Sequence, residues 1–573
     1  MLLGAAAGAR GRGILAGGRR NHPGHRRIAA GNLEDAVSHR ILVSETLAEE
    51  GLAILREAAE LDARDAIERP ELIAAIRRCH GLIVRSGTRV DRELIESAPL
   101  LRVIGRAGAG VDNIDLDAAS ERGIIVLNTA GGNTVSAAEL AVGLLLSLSR
   151  HLAAANASLR SGEWNRSAFI GAELRGKTAG IIGLGLVGAA VARRLQAMEM
   201  RTIAFDPFVS EERARSVGTA LAPLTELLAE ADVVTLHSSA SPDAPPLLGD
   251  AELSAIKPGA LLVNTARGRL IDESALLDAL DSGRLAGAAL DVFAAEPAHE
   301  NPLVQHPLVL ATPHLGASTQ EAQERVAVEI ATETLKVLSG RPSQAAVNTP
   351  LIDPESLEAV GPYLSVAEMC GRLATQLASG QWRDIMISYR GEIASHDVTP
   401  LKASVVAGLL APISDEHVNL VNINNVIAHR GWRIVERKSP DAEPYTSSIT
   451  VELRTSAGQT SLMGTLEHGR AAVVEINSFH VHIAASLPRP GRALDHLHLL
   501  VLRNEDRPGR IGEVGMALGK LEVNIAAMDV GFSPDDPGEK SLMALTISRA
   551  LTPEEAAVIA SIDGIEEVAQ AQM

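Results

Sequence analysis

The strongest constraint on the fold of this chain is a glycine-rich loop between an apolar strand and a helix-like segment. Residues 183–188 read Gly-Leu-Gly-Leu-Val-Gly, which matches the spacing G-x-G-x-x-G. The apolar run AGII precedes this loop, and the helix-like segment AAVARRLQAM follows it. A second strand, TIAFDP, then brings Asp206 18 residues after Gly188. In that context the glycines predict a dinucleotide site on a parallel βαβ unit.

Each residue of this loop has a separate physical task. Gly183 permits the tight turn, Gly185 lets the backbone approach a pyrophosphate, and Gly188 allows the helix to pack closely. Backbone amides at the start of the helix bind the anion. The carboxylate of Asp206 accepts hydrogen bonds from ribose hydroxyls and repels a 2′-phosphate, which favours NAD over NADP. The alternative interpretation is a glycine-rich packing contact between helix and strand.

Short β-branched runs alternate with helix-like stretches through the first 312 residues. This alternation predicts parallel βαβ units. The strands are apolar throughout, which is typical of a sheet covered on both faces. Strands are predicted over residues 40–44, 81–85, 101–105, 124–128, 179–182, 202–205, 233–237, 261–265, 287–292 and 308–312.

Charge and cysteine content exclude several classes of protein. The 53 basic and 71 acidic residues give a net charge of −18, which argues against a nucleic-acid binder that neutralises phosphates. The two cysteines build no disulfide framework and lack zinc-type spacing, so no metal site is predicted. The longest nearly apolar run, residues 179–192, is shorter than the ~18 residues of a membrane span.

The first 33 residues form an Arg-rich leader. They hold six arginines and eight glycines but no acidic residue, serine or threonine. An Arg-rich, acid-poor start is typical of organellar transit peptides, whereas the lack of serine and threonine is not. We therefore expect residues 1–38 to be a disordered leader and the protein to be cytoplasmic. The alternative is a plastid or mitochondrial location.

Polar motifs follow three predicted strands of the second βαβ series. Arg267 lies in the motif NTARG, Glu296 follows the motif DVF, and His314 lies in the motif TPHLGA. Ligands of open α/β sheets bind outside the carboxyl ends of the strands. Oxidation of a 2-hydroxy acid needs a base, a cation for the carboxylate and a hydride acceptor, and His, Arg and NAD supply them. Glu296 would orient the imidazole and raise its pKa.

Local patterns alone leave these assignments open. A histidine among 17 is more often structural than catalytic, and His237 also follows a predicted strand, so it is a rival base. Arg267 is also consistent with a surface residue at a helix start. Glu296, which precedes a proline, is also consistent with a cap.

The joint order of these motifs resembles the D-isomer-specific 2-hydroxyacid dehydrogenases. The matching stretches are VRSGT at 84–88, GRAGAGVDNID at 105–115, the glycine loop, NTARG, DVFAAEP and PHLGAST. The resemblance implies catalytic roles for Arg267, Glu296 and His314. It further implies a substrate side formed by Arg85, Ser86, Arg106 and Asn133. The NAD contacts that it implies are Gly183, Gly185, Leu186, Val187, Gly188, Asp206, Ser238, Thr265, Ala266, Asp291, His314 and Gly316.

The resemblance also implies an architecture, most closely that of the long form of the family. A Rossmann-type nucleotide domain (136–317) is inserted in a flavodoxin-like substrate domain (39–135 and 318–344). An α+β intervening domain (350–487) follows, and then a βαββαβ ACT domain (495–573). In related enzymes the ACT region binds serine at subunit contacts, and Asn504, Asp506 and Asn524 occupy the matching positions. The alternative interpretation is that these three residues only stabilise turns, in which Asn and Asp are favoured. A homodimer or homotetramer is expected.

The activity implied is NAD-dependent oxidation of 3-phosphoglycerate to 3-phosphohydroxypyruvate, the entry to serine synthesis. Arg85 and Arg106 would supply cations for the phosphate. Two alternatives remain at this stage. One is a dehydrogenase or reductase of another 2-hydroxy acid, such as glyoxylate. The other is an NAD-sensing binding protein on a dehydrogenase fold.

Overall fold

A computed structural model describes residues 39–240, 244–350, 352–414, 416, 418–441, 443–484, 498–532 and 540–572. The predicted leader, residues 1–38, lies outside the described residues. So does the proline-containing connector at 486–492. Within the described residues, no single helix is long and apolar enough to cross a membrane. One bent helix pair, Thr134–Ser149 with Leu152–Arg160, passes that test by length and composition only.

The first sheet has five parallel strands in the order β2-β1-β3-β4-β5. Its elements are β1 (Arg40–Val43), α1 (Glu49–Ala58), β2 (Glu60–Ala63), α2 (Arg69–Ile76), β3 (Gly81–Val84), α3 (Arg92–Glu96), β4 (Val103–Arg106), α4 (Leu116–Glu121) and β5 (Ile125–Asn128). This order is the flavodoxin-like one, which confirms the predicted fold class. Strand β2 was not predicted from the sequence, because charged residues alternate with apolar ones in its four residues ELDA, which are partly exposed at the sheet edge.

The second sheet has seven parallel strands in the order β12-β11-β10-β9-β6-β7-β8. Its strands are β6 (Thr178–Ile182), β7 (Arg201–Phe205), β8 (Ala220–Leu221), β9 (Val233–Leu236), β10 (Ala260–Asn264), β11 (Leu285–Leu290) and β12 (Val309–Ala311). The strand order reverses between β6 and β9, which is the switch point where a Rossmann sheet binds its dinucleotide. The two-residue strand β8 was also missed by the sequence analysis.

Nine helices follow β5 in this half of the described chain, and the last of them belongs to the first sheet. They are α5 (Thr134–Ser149), α6 (Leu152–Arg160), α7 (Leu186–Ala197), α8 (Glu211–Ser216), α9 (Leu224–Glu230), α10 (Asp250–Ala255), α11 (Glu273–Asp281), α12 (Pro302–Gln305) and α13 (Gln320–Leu338). Short 3-10 turns occupy Arg166–Phe169, Gly268–Leu270, Gly361–Tyr363 and Glu392–Ser395.

Helix α13 returns the chain to the first sheet. Its buried residues Val326, Ala327 and Ile330 share a core with Ile41 and Leu127 of the first sheet. Helix α5 instead packs with β6, β9 and β10 of the second sheet, through a different core. The chain therefore leaves the first sheet at α5 and rejoins it at α13.

A six-stranded mixed sheet follows, in the order β14-β13-β15-β16-β17-β18. Its pairing is antiparallel except between β13 and β14. The elements are α14 (Pro354–Val360), α15 (Leu364–Leu377), β13 (Trp382–Gly391), α16 (Thr399–Leu410), α17 (Ile423–His429), β14 (Arg433–Ser439), β15 (Ser447–Thr455), β16 (Gln459–Glu467), β17 (Arg470–Ile476) and β18 (Phe479–Ala484).

The last elements alternate as the sequence predicted, βαββαβ. They are β19 (His498–Glu505), α18 (Arg510–Lys520), β20 (Ile525–Phe532), β21 (Lys540–Ile547), α19 (Pro553–Ala560) and β22 (Ile565–Gln572). The antiparallel sheet has the order β20-β21-β19-β22.

Strand β19 serves two hydrophobic cores at once. Side chains of a strand alternate between its two faces. Leu500 and Leu502 therefore pack in one core with α18 and α19. Leu499 and Val501 face the other way, into the core of the six-stranded sheet. The two C-terminal sheets thus share one core.

Candidate active site

The glycine loop between β6 and α7 has little room for side chains. Gly183 has a φ of +90°, and a Cβ there would lie 2.7 Å from the backbone nitrogen of Ser238. A Cβ at Gly188 would lie 2.0 Å from the carbonyl oxygen of Gly183. At Gly185 a Cβ would meet nothing within 4 Å, so the backbone is open on that side. The loop is therefore tight against the protein and open where a ligand would approach.

Asp206 lies just after β7, beside this loop. One oxygen accepts a hydrogen bond from the backbone amide of Leu184 at 2.8 Å, and the other accepts from Phe208 at 2.9 Å. These two bonds fix the carboxylate next to the glycine turn. A carboxylate oxygen accepts more than one hydrogen bond, so ribose hydroxyls remain possible partners.

Two buried hydroxyls at neighbouring strand ends have no hydrogen-bond partner among the residues that the structure describes. They are Oγ of Ser238, after β9, and Oγ1 of Thr265, after β10. An unsatisfied buried polar group costs about 1–3 kcal/mol. A bound polar ligand in this cleft would supply the missing partners, so these residues and the open face of Gly185 fit a dinucleotide. Leu186 is half-exposed at the start of α7, whereas Val187 packs against the core beneath that helix.

Arg267 is presented by a turn that a buried asparagine holds. Asn264 ends β10 and is 1% exposed. Its side-chain oxygen accepts from the amide of Ala266 at 3.0 Å, and its nitrogen donates to the carbonyl of Arg267 at 2.9 Å. A Cβ at Gly268 would lie 1.9 Å from the carbonyl carbon of Phe293, so the turn lies directly on the next loop.

His314 and Glu296 form a hydrogen-bonded pair. Nδ1 of His314 lies 2.8 Å from Oε2 of Glu296, whose Oε1 accepts from the amide of Phe293 at 3.1 Å. The bond to Glu296 raises the pKa of His314, and this effect outweighs burial, which lowers it. Burial alone would raise the pKa of Glu296, but the bond from His314 and the backbone amide lower it overall. With its proton on Nδ1, the neutral imidazole leaves Nε2 as the basic nitrogen.

A buried carboxylate, Asp291, holds the turn that carries His314. Its Oδ1 accepts from Oγ1 of Thr312 at 2.6 Å and from the amide of Leu315 at 2.7 Å, and its Oδ2 accepts from the amide of Gly316 at 2.9 Å. Burial raises the pKa of Asp291 in spite of these bonds. Asp291 is fully buried, so its oxygens serve the turn, and its contact with NAD stays a prediction.

His314 itself has a backbone conformation that is rare for a residue with a side chain. Its φ is +55°, in the left-handed region. Its amide donates to the carbonyls of Asp291 at 2.9 Å and Thr312 at 3.1 Å. Strain of this kind persists only where the surroundings over-determine it, and it is concentrated at functional sites.

The residues predicted to bind the substrate lie at the carboxyl ends of β3 and β4 and at the start of α5. Arg85 is half-buried, Ser86 is exposed, and Asn133 precedes α5 without capping it through its side chain. Burial, and then Arg267 nearby, lower the pKa of Arg106 to about 10. Nε of Arg106 is buried and has no hydrogen-bond partner in the described part of the chain. A multivalent anion would both pair with this guanidinium and offset its repulsion with Arg267.

The rival base His237 lies on the other side of the glycine turn. Burial lowers the pKa of His237 to about 4, and its Nε2 lies 2.8 Å from Oγ1 of Thr235. An imidazole with so low a pKa is a poor proton acceptor near neutral pH. The geometry therefore favours His314 over His237.

Four residues that position this site were not identified from the sequence. Glu45 accepts from the amides of residues 85, 87 and 88, so it holds the loop after β3. Asn113 donates to two carbonyls of the same loop, and Asp112 pairs with Arg267. Asn264 is the fourth. Glu45 follows a strand end and the other three lie in the quoted motifs, but no local pattern indicates their partners.

The three predicted effector residues do not form one site within a single chain. Asn504 is the penultimate residue of β19 and is paired with Ser541, the second residue of β21. Asn524 precedes Ile525, which is paired with Ile547 at the far end of β21. Six residues of strand separate these positions by about 20 Å. Asp506 and Asn524 are exposed, whereas Asn504 is buried and donates to Oγ of Ser541 at 3.0 Å.

Among the described residues, no group of three histidine, cysteine, aspartate or glutamate side chains could hold a metal ion.

Two family models match the chain. Residues 142–316 match the NAD binding domain of the D-isomer specific 2-hydroxyacid dehydrogenases. Residues 359–477 match the intervening domain of D-3-phosphoglycerate dehydrogenase.

Relatives named D-3-phosphoglycerate dehydrogenase match most of the chain. The protein from Archaeoglobus fulgidus is 39% identical over 92% of this chain and 98% of its own length. The protein from Bacillus subtilis is 38% identical over 89% of this chain and 95% of its own. A relative from Arabidopsis thaliana, named chloroplastic, is 39% identical over 92% of this chain and 86% of its own.

Solved structures match about half of the chain. A glyoxylate reductase from Paecilomyes thermophila is 30% identical, with a TM-score of 0.51 over 55% of this chain and 99% of its own. A protein from Thermus thermophilus is 37% identical, with a TM-score of 0.50 over 54% of this chain and 99% of its own.

We expect Asp291→Asn to loosen the turn that carries His314. An amide nitrogen would then face N–H donors, and one hydrogen bond would be lost in a buried place. The free energy of unfolding should fall by about 1–3 kcal/mol. Hydrogen exchange at the amides of Leu315 and Gly316 should accelerate. The control is Asp278→Asn on the exposed face of α11. Unchanged protection of both amides would contradict the role of Asp291.

Proposed function

The chain belongs to the D-3-phosphoglycerate dehydrogenase family of NAD-dependent oxidoreductases, and we propose that it oxidises D-3-phosphoglycerate to 3-phosphohydroxypyruvate with Arg267, Glu296 and His314 as its catalytic residues. The observation that carries this assignment is the His314–Glu296 pair at the mouth of a Rossmann cleft. This reaction is the first step of serine biosynthesis.

His314 accepts the proton of the substrate hydroxyl through Nε2. Glu296 keeps the other proton on Nδ1 and stabilises the imidazolium that forms. Arg267 binds the substrate carboxylate, since a guanidinium matches carboxylate geometry with two parallel hydrogen bonds. When bound, NAD supplies the acceptor for the hydride of the same carbon. The residues that would hold NAD are those of the glycine loop, Asp206, Ser238 and Thr265.

The phosphate of the substrate would be bound by the cations of the first sheet. Arg85 follows β3 and Arg106 ends β4, and the positive charge of Arg106 interacts with those of Arg267 and Arg85. Ser86 and Asn133 offer neutral hydrogen-bond partners next to them. An arginine pair next to the catalytic arginine favours a substrate with two anionic groups over a simple 2-hydroxy acid.

We infer the predicted division of the chain into a nucleotide domain, a discontinuous substrate domain, an intervening domain and an ACT domain. The four separate sheets and the return of α13 to the first sheet support it. A cytoplasmic location also stays a prediction.

A homo-oligomer, at least a dimer, is part of this proposal. Helix α6 has no buried residue, and the segment after it leaves Trp164 81% and Ile170 79% exposed. A mostly apolar cavity of about 280 Å³ adjoins this segment, lined in part by Leu148, Leu174 and Leu310. Exposed apolar side chains next to an apolar cavity support pairing with a second copy of this surface.

Serine is the proposed effector, and two chains would form its site. The register of β21 places Asn504 and Asn524 at opposite ends of one ACT sheet. A ligand as small as serine cannot reach both in one chain. Asn504 and Asp506 of one chain would therefore bind it together with Asn524 of a second.

The activity is tested by NADH formation from a panel of 2-hydroxy acids. We expect 3-phosphoglycerate to give the highest kcat/KM, and His314→Ala to lower turnover by ~10²–10⁴-fold while NADH still binds. The exposed His299→Ala is the matched control and should retain the wild-type rate. A different preferred acid would refute the substrate, and no NADH from any acid would favour an NAD-sensing binding protein. Full turnover of His314→Ala would refute the base.

Glu296→Gln should move the pH profile toward acid. Neutral His314 is the active base, so kcat/KM falls below its pKa. Because the Glu296 carboxylate raises that pKa, its removal shifts the acid limb to lower pH. The plateau of kcat/KM at higher pH should also fall, since His314 is a weaker base without the carboxylate. The measurement is kcat/KM against pH, with the exposed Glu300→Gln as the control. An acid limb that stays in place or moves to higher pH would contradict the pairing.

The shared effector site is tested by mixing two full-length variants. Asn504→Ala and Asn524→Ala should each abolish serine binding in calorimetry. After unfolding and refolding together in equal amounts, about a quarter of the sites should return, because one site of each mixed symmetric dimer has both asparagines. Each variant refolded alone is the control. No recovery in the mixture would refute the two-chain site.

A further inference from the structure

Asp112 lies in the loop between β4 and α4, facing the catalytic arginine. Its Oδ2 accepts a hydrogen bond from Nε of Arg267 at 2.9 Å. The two residues are 155 positions apart in the sequence and belong to different sheets. Asp112, in a loop of the first sheet, therefore holds the guanidinium of Arg267, which lies in a loop of the second sheet.

The backbone next to Asp112 is shaped to receive this guanidinium. A Cβ at Gly110 would lie 1.9 Å from Nη2 of Arg267, so any side chain there would displace the arginine. Asn113 ties the same loop to the carbonyls of Arg85 at 2.8 Å and Thr88 at 2.6 Å. The loop that receives Arg267 is thus tied directly to the loop of the predicted substrate side.

The hydrogen bonds of Arg267 leave one edge of the guanidinium for a ligand. Nε donates to Asp112, and Nη1 donates to the carbonyl of Ala266 at 2.7 Å. An arginine has five N–H donors in a fixed plane. The second proton of Nη1 and those of Nη2 therefore remain at the end of the fork, where two parallel bonds to a carboxylate form.

Asp112 also balances the charges of the cation cluster. The positive charge of Arg267 lowers the pKa of Arg106, whereas the charges of Glu45 and Asp112 raise it. Glu45 is already bound to three backbone amides. Asp112 has its side chain 61% exposed and is bound to the guanidinium itself.

We propose that Asp112 is a positioning residue for substrate binding: it fixes Arg267 through Nε, so that the end of the guanidinium faces the substrate carboxylate. This inference rests on the proposed role of Arg267. Without Asp112, Arg267 turns away from Arg106 under charge repulsion and loses the orientation that a bidentate carboxylate contact needs.

The experiment compares Asp112→Ala, Asp112→Asn and Arg267→Ala in the full-length enzyme. The matched control is Glu121→Gln, which breaks an exposed arginine pair with Arg92 in the same part of the fold. Asp112→Ala should raise the KM for 3-phosphoglycerate about fivefold, the upper end for an exposed ion pair. The kcat, the NADH affinity and the melting temperature should stay near wild type. The KM of Asp112→Asn should lie between those of the wild type and Asp112→Ala, because the amide oxygen of the asparagine still accepts a hydrogen bond from Nε of Arg267.

The double variant Asp112→Ala/Arg267→Ala separates the possible failures. If Asp112 acts through Arg267, the double variant has the same KM as Arg267→Ala alone. An unchanged or lower KM in Asp112→Ala, beside a raised KM in Arg267→Ala, would overturn the role of Asp112 and leave the proposed function intact. An unchanged KM in Arg267→Ala would overturn both roles. A fall in melting temperature or NADH affinity with Asp112→Ala would indicate a structural role and also overturn the proposal.

Discussion

The buried carboxylate of Asp291 is the interaction on which the catalytic geometry depends. It lies directly after β11 and accepts three hydrogen bonds from the turn after β12. Those bonds hold His314 at a positive φ that its side chain disfavours. The imidazole then reaches Glu296, which comes from the loop that Asp291 itself begins. Two adjacent strand ends are thereby joined at the His314–Glu296 pair, the proposed proton acceptor, and a carboxyl group is buried to join them.

Much of the fold could be predicted because its signals are local. The glycine loop, the apolar strands and the strand-end motifs each lie within a few consecutive residues, and they predicted both parallel sheets. β2 and β8 were missed because they are short, partly exposed edge strands. The pairing of Asp112 with Arg267 could not be predicted, because it joins loops of two sheets and depends on how those sheets face each other. The distance between Asn504 and Asn524 likewise depends on strand register, which the motif alone does not contain.

The cleft carries a cluster of positive charges, whereas the whole chain has a negative net charge. The net charge is −18, yet the cleft gathers Arg85, Arg106 and Arg267 close enough for one to lower the pKa of another. Surface carboxylates repel an anion at long range, but salt screens that repulsion at distances beyond about 10 Å. The arginines act at contact distance and inside a partly buried site. In the proposed function, binding of an anionic substrate is therefore decided by these three side chains and not by the overall charge.

The core shared by the last two sheets limits how this enzyme can change over evolutionary time. Leu499, Val501 and Leu542 of the C-terminal sheet cover apolar residues of the six-stranded sheet. A nonsense mutation that removes residues 498–572 would uncover that surface and turn it into a site for aggregation. Loss of the last domain is thus not a neutral change for the rest of the chain. If that domain mediates the proposed response to serine, a lineage that no longer needs the response would be expected to keep the domain as a structural cover and to lose the response by single substitutions at its edges.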